Sequence, residues 1–240
     1  MSAGTAARPA AILFDKDGTL FDFRATWNAW AASLLTRLAG GDLARASMLG
    51  ARIGFDVERA EFEPGSIAIA GTPLDVASAL APAIGGLSIR DLVDLLNADA
   101  AAAPMVEAVP LAELFDDLAA ADLRLGVATN DGEAPTIAHL EKAGLRDRFD
   151  FIAGSDSGFG AKPGAGQLLA FCETVGVGPE RAIMVGDSTH DLIAGRAAGM
   201  GVIAVLTGLA SRSDLAPFAD AVLPDIGHLP GWLGLTVNNR

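Results

Sequence analysis

Apolar positions recur along this chain with two different textures, and the change between them divides it. The run Ala10-Ala11-Ile12-Leu13-Phe14 is short, apolar and of strand character, and it leads straight into Asp15. From Arg24 to Ala39 the spacing is three and four: Trp27, Trp30, Ala31, Leu34, Leu35 and Leu38 make one apolar face of a helix. Gly40-Gly41 closes that helix and Asp42 can cap the next. Thr72-Pro73, with Asp75 in the first turn, starts another, and Ser88 with Asp91 three residues later starts a fourth. Glu58, Glu61 and Glu63, beside Pro64-Gly65, read as a solvated loop. Nothing from about 22 to 104 alternates as a parallel sheet should.

After Pro104 the pattern changes. Apolar segments of strand length at 124–128, 150–153, 182–186, 201–206 and 220–223 alternate with helical stretches at 110–121, 133–143, 164–175 and 189–198. Such alternation implies right-handed crossovers and a parallel sheet covered on both faces. The expected fold is α/β: a doubly wound, Rossmann-like core from residues 1–21 and 105–240, with 22–104 an α-helical insertion between its first two strands. Sheets of this type bind ligands beyond the carboxyl ends of their strands. The residues at those ends are all polar: Asp15, Thr129, Ser155, Asp187 and Thr207.

Composition narrows the function. The chain has 240 residues, 51% hydrophobic and 20% charged, which is ample for a packed core. Its formal net charge of −13 argues against a nucleic-acid surface, and it requires that an anionic substrate be held by local cations. No apolar run approaches a bilayer span, so no membrane partner is expected. Residues 1–9 lack a signal-peptide stretch and read as a frayed tail. Cys172 is the sole cysteine, which rules out an intramolecular disulfide and points to a reducing, cytoplasmic interior. Its apolar helical surroundings predict a buried, inert thiol.

The candidate chemistry begins at Asp15-Lys16-Asp17-Gly18-Thr19. Residues two apart on a strand share a side, so Asp15 and Asp17 converge just past the strand end. Two carboxylates that close need a cation or a shared proton, although Asp-Gly is also a turn signal by itself. Gly186-Asp187-Ser188-Thr189-His190-Asp191 places two more carboxylates four apart on one helical face, with Ser188 or Thr189 as cap. Thr129-Asn130 offers a hydroxyl, an amide and backbone N–H groups to a phosphate. Lys162 is one of three lysines, in a Gly-rich loop that lacks the Gly-Lys-Ser/Thr of a Walker A motif.

Together, and in this order, these elements resemble the four motifs of the haloacid dehalogenase superfamily: Asp-x-Asp-Gly-Thr, Thr/Ser, Lys-Pro and Gly-Asp-x-x-x-Asp. The likeness covers residues 10–22 and about 105–224, and the insertion matches the family's helical cap in position and length. The runs Ile53-Gly54-Phe55-Asp56, Phe62-Glu63-Pro64-Gly65-Ser66 and Ala70-Gly71-Thr72 resemble the phosphoglycolate phosphatase branch. The resemblance implies Asp15 as nucleophile, forming an aspartyl-phosphate, and Asp17 as general acid and base. It implies Mg²⁺ among the Asp15 carboxylate, the Asp17 backbone carbonyl and Asp187, with Asp191 a ligand or a partner just outside. It implies a phosphate held by Asp17-Gly18, Thr129, Asn130 and Lys162. The substrate would be a small phosphorylated metabolite, 2-phosphoglycolate first, and the protein a monomer or homodimer. Hinges are expected near Leu20–Phe23 and Ala103–Met105. Arg24 and Arg52 are the expected cap residues for a substrate carboxylate or second phosphate.

Relatives make other demands. Metal-free dehalogenases typically lack an equivalent of Asp17, and phosphonoacetaldehyde hydrolase needs a cap lysine, whereas this cap has arginines only. A sugar-phosphate mutase of the β-phosphoglucomutase type shares the core residues and remains open, as does a non-catalytic protein on the same fold. His190 can support the carboxylates beside it or stand exposed, and His139 and His228 have no partners in sequence.

Overall fold

The computed structural model describes residues 8–235. Of the tail expected over residues 1–9, residues 1–7 lie outside the described residues. Strand β1 (Ala11–Phe14) is followed by a largely helical unit: α1 (Phe23–Leu38), α2 (Leu43–Ile53), strands β2 (Phe55–Asp56) and β3 (Glu61–Phe62), α3 (Ile67–Ala70), α4 (Pro73–Ile84) and α5 (Ile89–Ala102). The chain then runs through α6 (Leu111–Ala120), β4 (Arg124–Ala128), α7 (Glu133–Lys142), β5 (Phe151–Ala153) and α8 (Gly166–Val175). It ends with β6 (Ala182–Gly186), α9 (Thr189–Ala198), β7 (Gly201–Val205), α10 (Arg212–Leu215), β8 (Ala221–Leu223) and α11 (Leu229–Trp232). Among the described residues no single helix is long and apolar enough to cross a membrane.

The six core strands form one parallel sheet in the order β5-β4-β1-β6-β7-β8. Ile12 is level with Leu125 on one neighbour and Ile183 on the other, so β1 lies at the centre. Period-2 alternation sends Ile12 and Phe14 into one core with Leu114, Phe115 and Leu118 of α6, and Ala11 and Leu13 into a second with Leu168 and Phe171 of α8. The strands are therefore apolar on both faces, as a sheet sandwiched between helices requires. The chain reverses its direction of travel across the sheet around β1, which puts the crevice of such a sheet at the carboxyl ends of β1, β4 and β6. Cys172 packs in the second core, where burial pushes its thiol up.

The helices of the insertion pack around their own apolar cluster, which includes Leu34, Leu35, Leu49, Leu80 and Leu92. Capping boxes at Thr72/Asp75 and Ser88/Asp91 start α4 and α5. The two crossings to the core run side by side: the Asp22 N–H donates to Val106 O at 2.8 Å and the Ala108 N–H to Leu20 O at 2.9 Å. One expectation needs correcting. The polar stretch at 55–63 contains a two-residue antiparallel hairpin, Phe55 opposite Phe62, with their rings 4.8 Å apart. Glu58, Glu61 and Glu63 are exposed as expected, but two strands of two residues are too short to show a period.

Candidate active site

Asp15 follows directly on β1 and Asp187 on β6, and Asp191 lies in the first turn of α9. All three carboxylates are buried, and each offers an oxygen within 4.8 Å of the others. Lys162 reaches across from the loop before α8. Its Nζ lies 2.6 Å from Asp15 Oδ1 and 2.6 Å from Asp191 Oδ1, and it donates to Ala128 O at 2.7 Å. Three carboxylates thus face one ammonium, and the imbalance shows in the acidity of Asp15 and Asp187. Burial, against the pull of Lys162 and with repulsion from Asp191 and Asp17, pushes Asp15 up to about 7. Burial and the charges of Asp15 and Asp191 raise Asp187 well above the usual carboxylate range. Lys162 is itself held above the ordinary lysine range because its paired carboxylates outweigh its burial.

Local structure fixes these groups. Asp191 has a second duty: its Oδ2 accepts from the Ser188 Oγ at 2.7 Å and the Ser188 N–H at 3.0 Å, completing the capping box of α9. Helix start and site carboxylate are therefore one residue. Asp187 is walled by glycines. Gly18 sits at φ +84°, and a Cβ there would come within 2.5 Å of Asp187 Oδ2, while one on Gly208 would come within 1.6 Å. Thr207 at the end of β7 donates to Gly18 O at 2.6 Å and holds that turn.

Thr129 and Asn130 follow β4. The Thr129 hydroxyl accepts the Asp131 N–H at 3.1 Å, and Gln167 donates to its carbonyl at 3.0 Å. The Asn130 amide is committed to the lysine loop: it accepts the Lys162 N–H at 2.8 Å and donates to Lys162 O at 2.9 Å. It also donates to Ala70 O of the cap at 2.7 Å. Asn130 therefore positions Lys162, and its side chain is not free for a phosphate. Ser155 supports the same region through Asp131 O.

Asp17 stands apart from the three-carboxylate cluster. Its Oδ1 accepts the indole N–H of Trp27, on cap helix α1, at 2.8 Å, and its Oδ2 lies 3.0 Å from Lys16 Nζ. Lys16 is fully buried, 2.8 Å from Asp131 Oδ2 and 3.0 Å from His139 Nδ1. Burial and the Lys16 charge lower His139, so the ring is neutral, with Nδ1 accepting from Lys16 and Nε2–H donating to Ala100 O of the cap at 2.8 Å. Trp27, Lys16, Asp131 and His139 were not singled out for this role by the sequence. Lys16 carried the one available signal, a cation between two aspartates.

A cavity of about 100 Å³ opens over these groups, between the strand ends and the cap. Asp15, Asp17, Thr129, Lys162, Asp187 and Asp191 form its floor, with His190 beside them on α9. Trp27 and Trp30, on the apolar face of α1, line its roof. The expected specificity residues do not. Arg24 is exposed on the first turn of α1, and Arg52 is exposed with its guanidinium 3.4 Å from Ala79 O, neither among the lining residues. The period of a helix says which positions share a face, not which face meets the core.

Comparison with known proteins agrees with this arrangement. The family described as haloacid dehalogenase-like hydrolase matches residues 12–205. The phosphoglycolate phosphatase of Nitrosospira multiformis is 31% identical over 218 residues, 90% of this chain and 92% of the relative. That of Rhodospirillum rubrum is 38% identical over 121 residues, 50% of each, so this chain spans about half the length of the latter in the match. The crystal structure of CbbY from Rhodobacter sphaeroides in complex with phosphate superposes with a TM-score of 0.68 at 23% identity, over 92% of this chain and 96% of that one, a likeness of fold. With the motif residues gathered at the strand ends beneath a helical cap, and with a match spanning both, the chain belongs to the haloacid dehalogenase-like hydrolase family.

Proposed function

We propose that the protein is a Mg²⁺-dependent phosphatase that hydrolyses a small organic phosphate monoester through an aspartyl-phosphate. The observation that carries this reading is the convergence of Asp15, Asp187 and Asp191 on one small volume, with Lys162 between two of them. The donor set fits Mg²⁺. It consists of hard carboxylate oxygens, and the raised pKa values of Asp15 and Asp187 record burial and mutual repulsion, both of which a divalent cation relieves. Asp15 and Asp187 would hold the ion, with Asp191 beside them tied to Lys162 and Ser188. When bound, the ion supplies the charge neutralisation that lets a phosphate dianion approach a carboxylate.

The residues then divide the chemistry. An Asp15 oxygen attacks phosphorus; the bond from phosphorus to the leaving alkoxide breaks, and the alkoxide takes a proton from Asp17. Asp17 next removes a proton from water, whose oxygen attacks phosphorus and releases inorganic phosphate from Asp15. Lys162, the backbone N–H of Asn130 and the Thr129 hydroxyl bear the charge of the transferring oxygens, where positioning contributes most; the expected Gly18 N–H is committed to Phe21 O at 2.7 Å. The cap excludes water from the cavity. The curated relatives' names make 2-phosphoglycolate the first substrate to test. A mutase must also grip a second phosphate, and among the described residues lining the cavity the cap supplies no arginine, lysine or histidine, which favours hydrolysis.

The test is phosphate release with and without Mg²⁺ from a panel holding 2-phosphoglycolate and sugar phosphates, with Asp15→Asn as control. Release that depends on Mg²⁺ and vanishes in the variant is expected. Release undiminished by Asp15→Asn, or none from a folded protein that binds Mg²⁺, would overturn the proposal.

A further inference from the structure

Asp17 is gripped from two sides, and one grip comes from the cap. Its Oδ2 lies 3.0 Å from Lys16 Nζ, while its Oδ1 accepts the Trp27 indole N–H at 2.8 Å. One donor at each oxygen fixes the plane of the carboxyl group, and each oxygen keeps a lone pair for a moving proton. The Lys16 grip belongs to the core, where Asp131 at 2.8 Å and His139 at 3.0 Å anchor that ammonium. The Trp27 grip crosses into the cap, since Trp27 is the fifth residue of α1.

Local structure aims that indole. The Gly18 N–H donates to Phe21 O at 2.7 Å, and the Asp22 carboxylate caps α1 by accepting the Ala25 N–H at 2.8 Å. The Trp27 ring packs edge-on against Trp30, with centroids 5.0 Å apart, and its centre lies 6.2 Å from that of His139 and 5.2 Å from the Lys16 ammonium. These contacts hold the ring, so its N–H keeps one direction. Packing alone does not require such a bond: the neighbouring Trp30 N–H is buried with no hydrogen-bond partner among the described residues. The first crossing from core to cap, at 20–23, lies between Asp17 and Trp27 in the chain. The bond therefore closes across that crossing and lasts only while α1 sits on the strand ends.

We infer that Trp27 is a positioning residue for proton transfer by Asp17. The inference rests on the phosphatase reading and names, within it, the cap residue on which the acid and base depend. As the bond from phosphorus to the leaving oxygen breaks, the proton on Asp17 must point at that oxygen, and the same carboxylate must later face the attacking water. Without the Trp27 N–H, the carboxyl group is free to turn about its contact with Lys16, and the proton loses its line to the leaving group.

Leaving groups separate this role from packing. An ordinary alkoxide needs a proton to depart, whereas para-nitrophenolate departs without one, and kcat/KM reports the step that breaks that bond. Trp27→Phe keeps an aromatic ring and removes the N–H. It is expected to lower kcat/KM about tenfold for 2-phosphoglycolate and benzyl phosphate, but less than about twofold for para-nitrophenyl phosphate. Trp30→Phe, which trims the same roof without removing a bond to Asp17, is expected to change the two aromatic esters alike. Equal losses on all three esters in Trp27→Phe would mean packing only and overturn the inference. The bond is also read without turnover, by NMR of the indole N–H groups of the chain's three tryptophans. Trp30→Phe and Trp232→Phe assign the Trp27 resonance by elimination, and Asp17→Asn is expected to shift it. An unmoved resonance would overturn the inference whatever the activity. A shifted resonance with no phosphate release from any ester by the unaltered protein would overturn the phosphatase reading, and the proton-transfer role with it, while leaving the bond.

Discussion

Lys16 shows how much one buried charge can organise. Its ammonium is fully buried, paired with Asp17 and Asp131, and lies 5.2 Å from the centre of the Trp27 ring. Burial alone would lower its pKa, yet the two carboxylates raise it, so the group stays charged. An isosteric apolar replacement removes the cation and leaves two largely buried carboxylates without it. Lys16→Met is therefore expected to lose about 3 kcal/mol in urea denaturation, the scale for breaking one side of a buried pair. The same variant is expected to lower kcat, since Asp17 then keeps only the Trp27 N–H to orient it.

At the scale of elements, the packing of α9 on the sheet sets the distance between Asp187, at the end of β6, and Asp191, one turn into the helix. Gly195 allows that approach: a Cβ there would meet Val202 Cγ1 at 2.3 Å and Met184 Cβ at 3.0 Å. Gly195→Ala sets two effects against each other. Alanine gains up to about 1 kcal/mol of helix propensity, while overpacking of a close core contact costs about 1–3 kcal/mol. The clash wins because both neighbours are core side chains rooted on the sheet, with no room to swing away. The expected outcome is a lower Tm by calorimetry and weaker Mg²⁺ binding by titration, the second because Asp191 moves with its helix.

At the scale of the whole molecule, the site couples stability to pH and, on the proposed reading, to a divalent cation. Asp15 titrates near 3.8 when unfolded and is pushed up to about 7 in the fold. A raised folded value means that the stabilisation belongs to the protonated form. It is complete below about 3.8 and lost as pH rises through about 7. Without divalent cations, the Tm of Asp15→Asn minus that of the unaltered protein is therefore expected to grow across this window. On the proposed reading Mg²⁺ would take the place of the proton, so it is expected to raise the Tm of the unaltered protein more at pH 8 than at pH 5. Scanning calorimetry at a series of pH values, with and without Mg²⁺, checks both. The cap shares in this coupling, because Asn130 and His139 donate to its Ala70 and Ala100 carbonyls and Trp27 donates to Asp17.

The strands, the helices and the order of motifs were legible in the chain because each rests on short-range patterns. Apolar runs of strand length mark β1 and β4 to β8, threefold and fourfold spacing marks α1, and Ser88 with Asp91 marks a capped start. The meeting of Asp15, Lys162, Asp187 and Asp191 was legible too, since a parallel sheet brings its carboxyl ends to one edge whatever the details of packing. What lay beyond the sequence depends on how the cap sits on the core. No local rule buries Lys16, aims Trp27 at Asp17, commits the Asn130 amide to the lysine loop, or turns Arg24 and Arg52 away from the cavity. Periodicity groups residues into faces, and only the packing of one unit against another decides which face closes over the site and what chemistry it presents there.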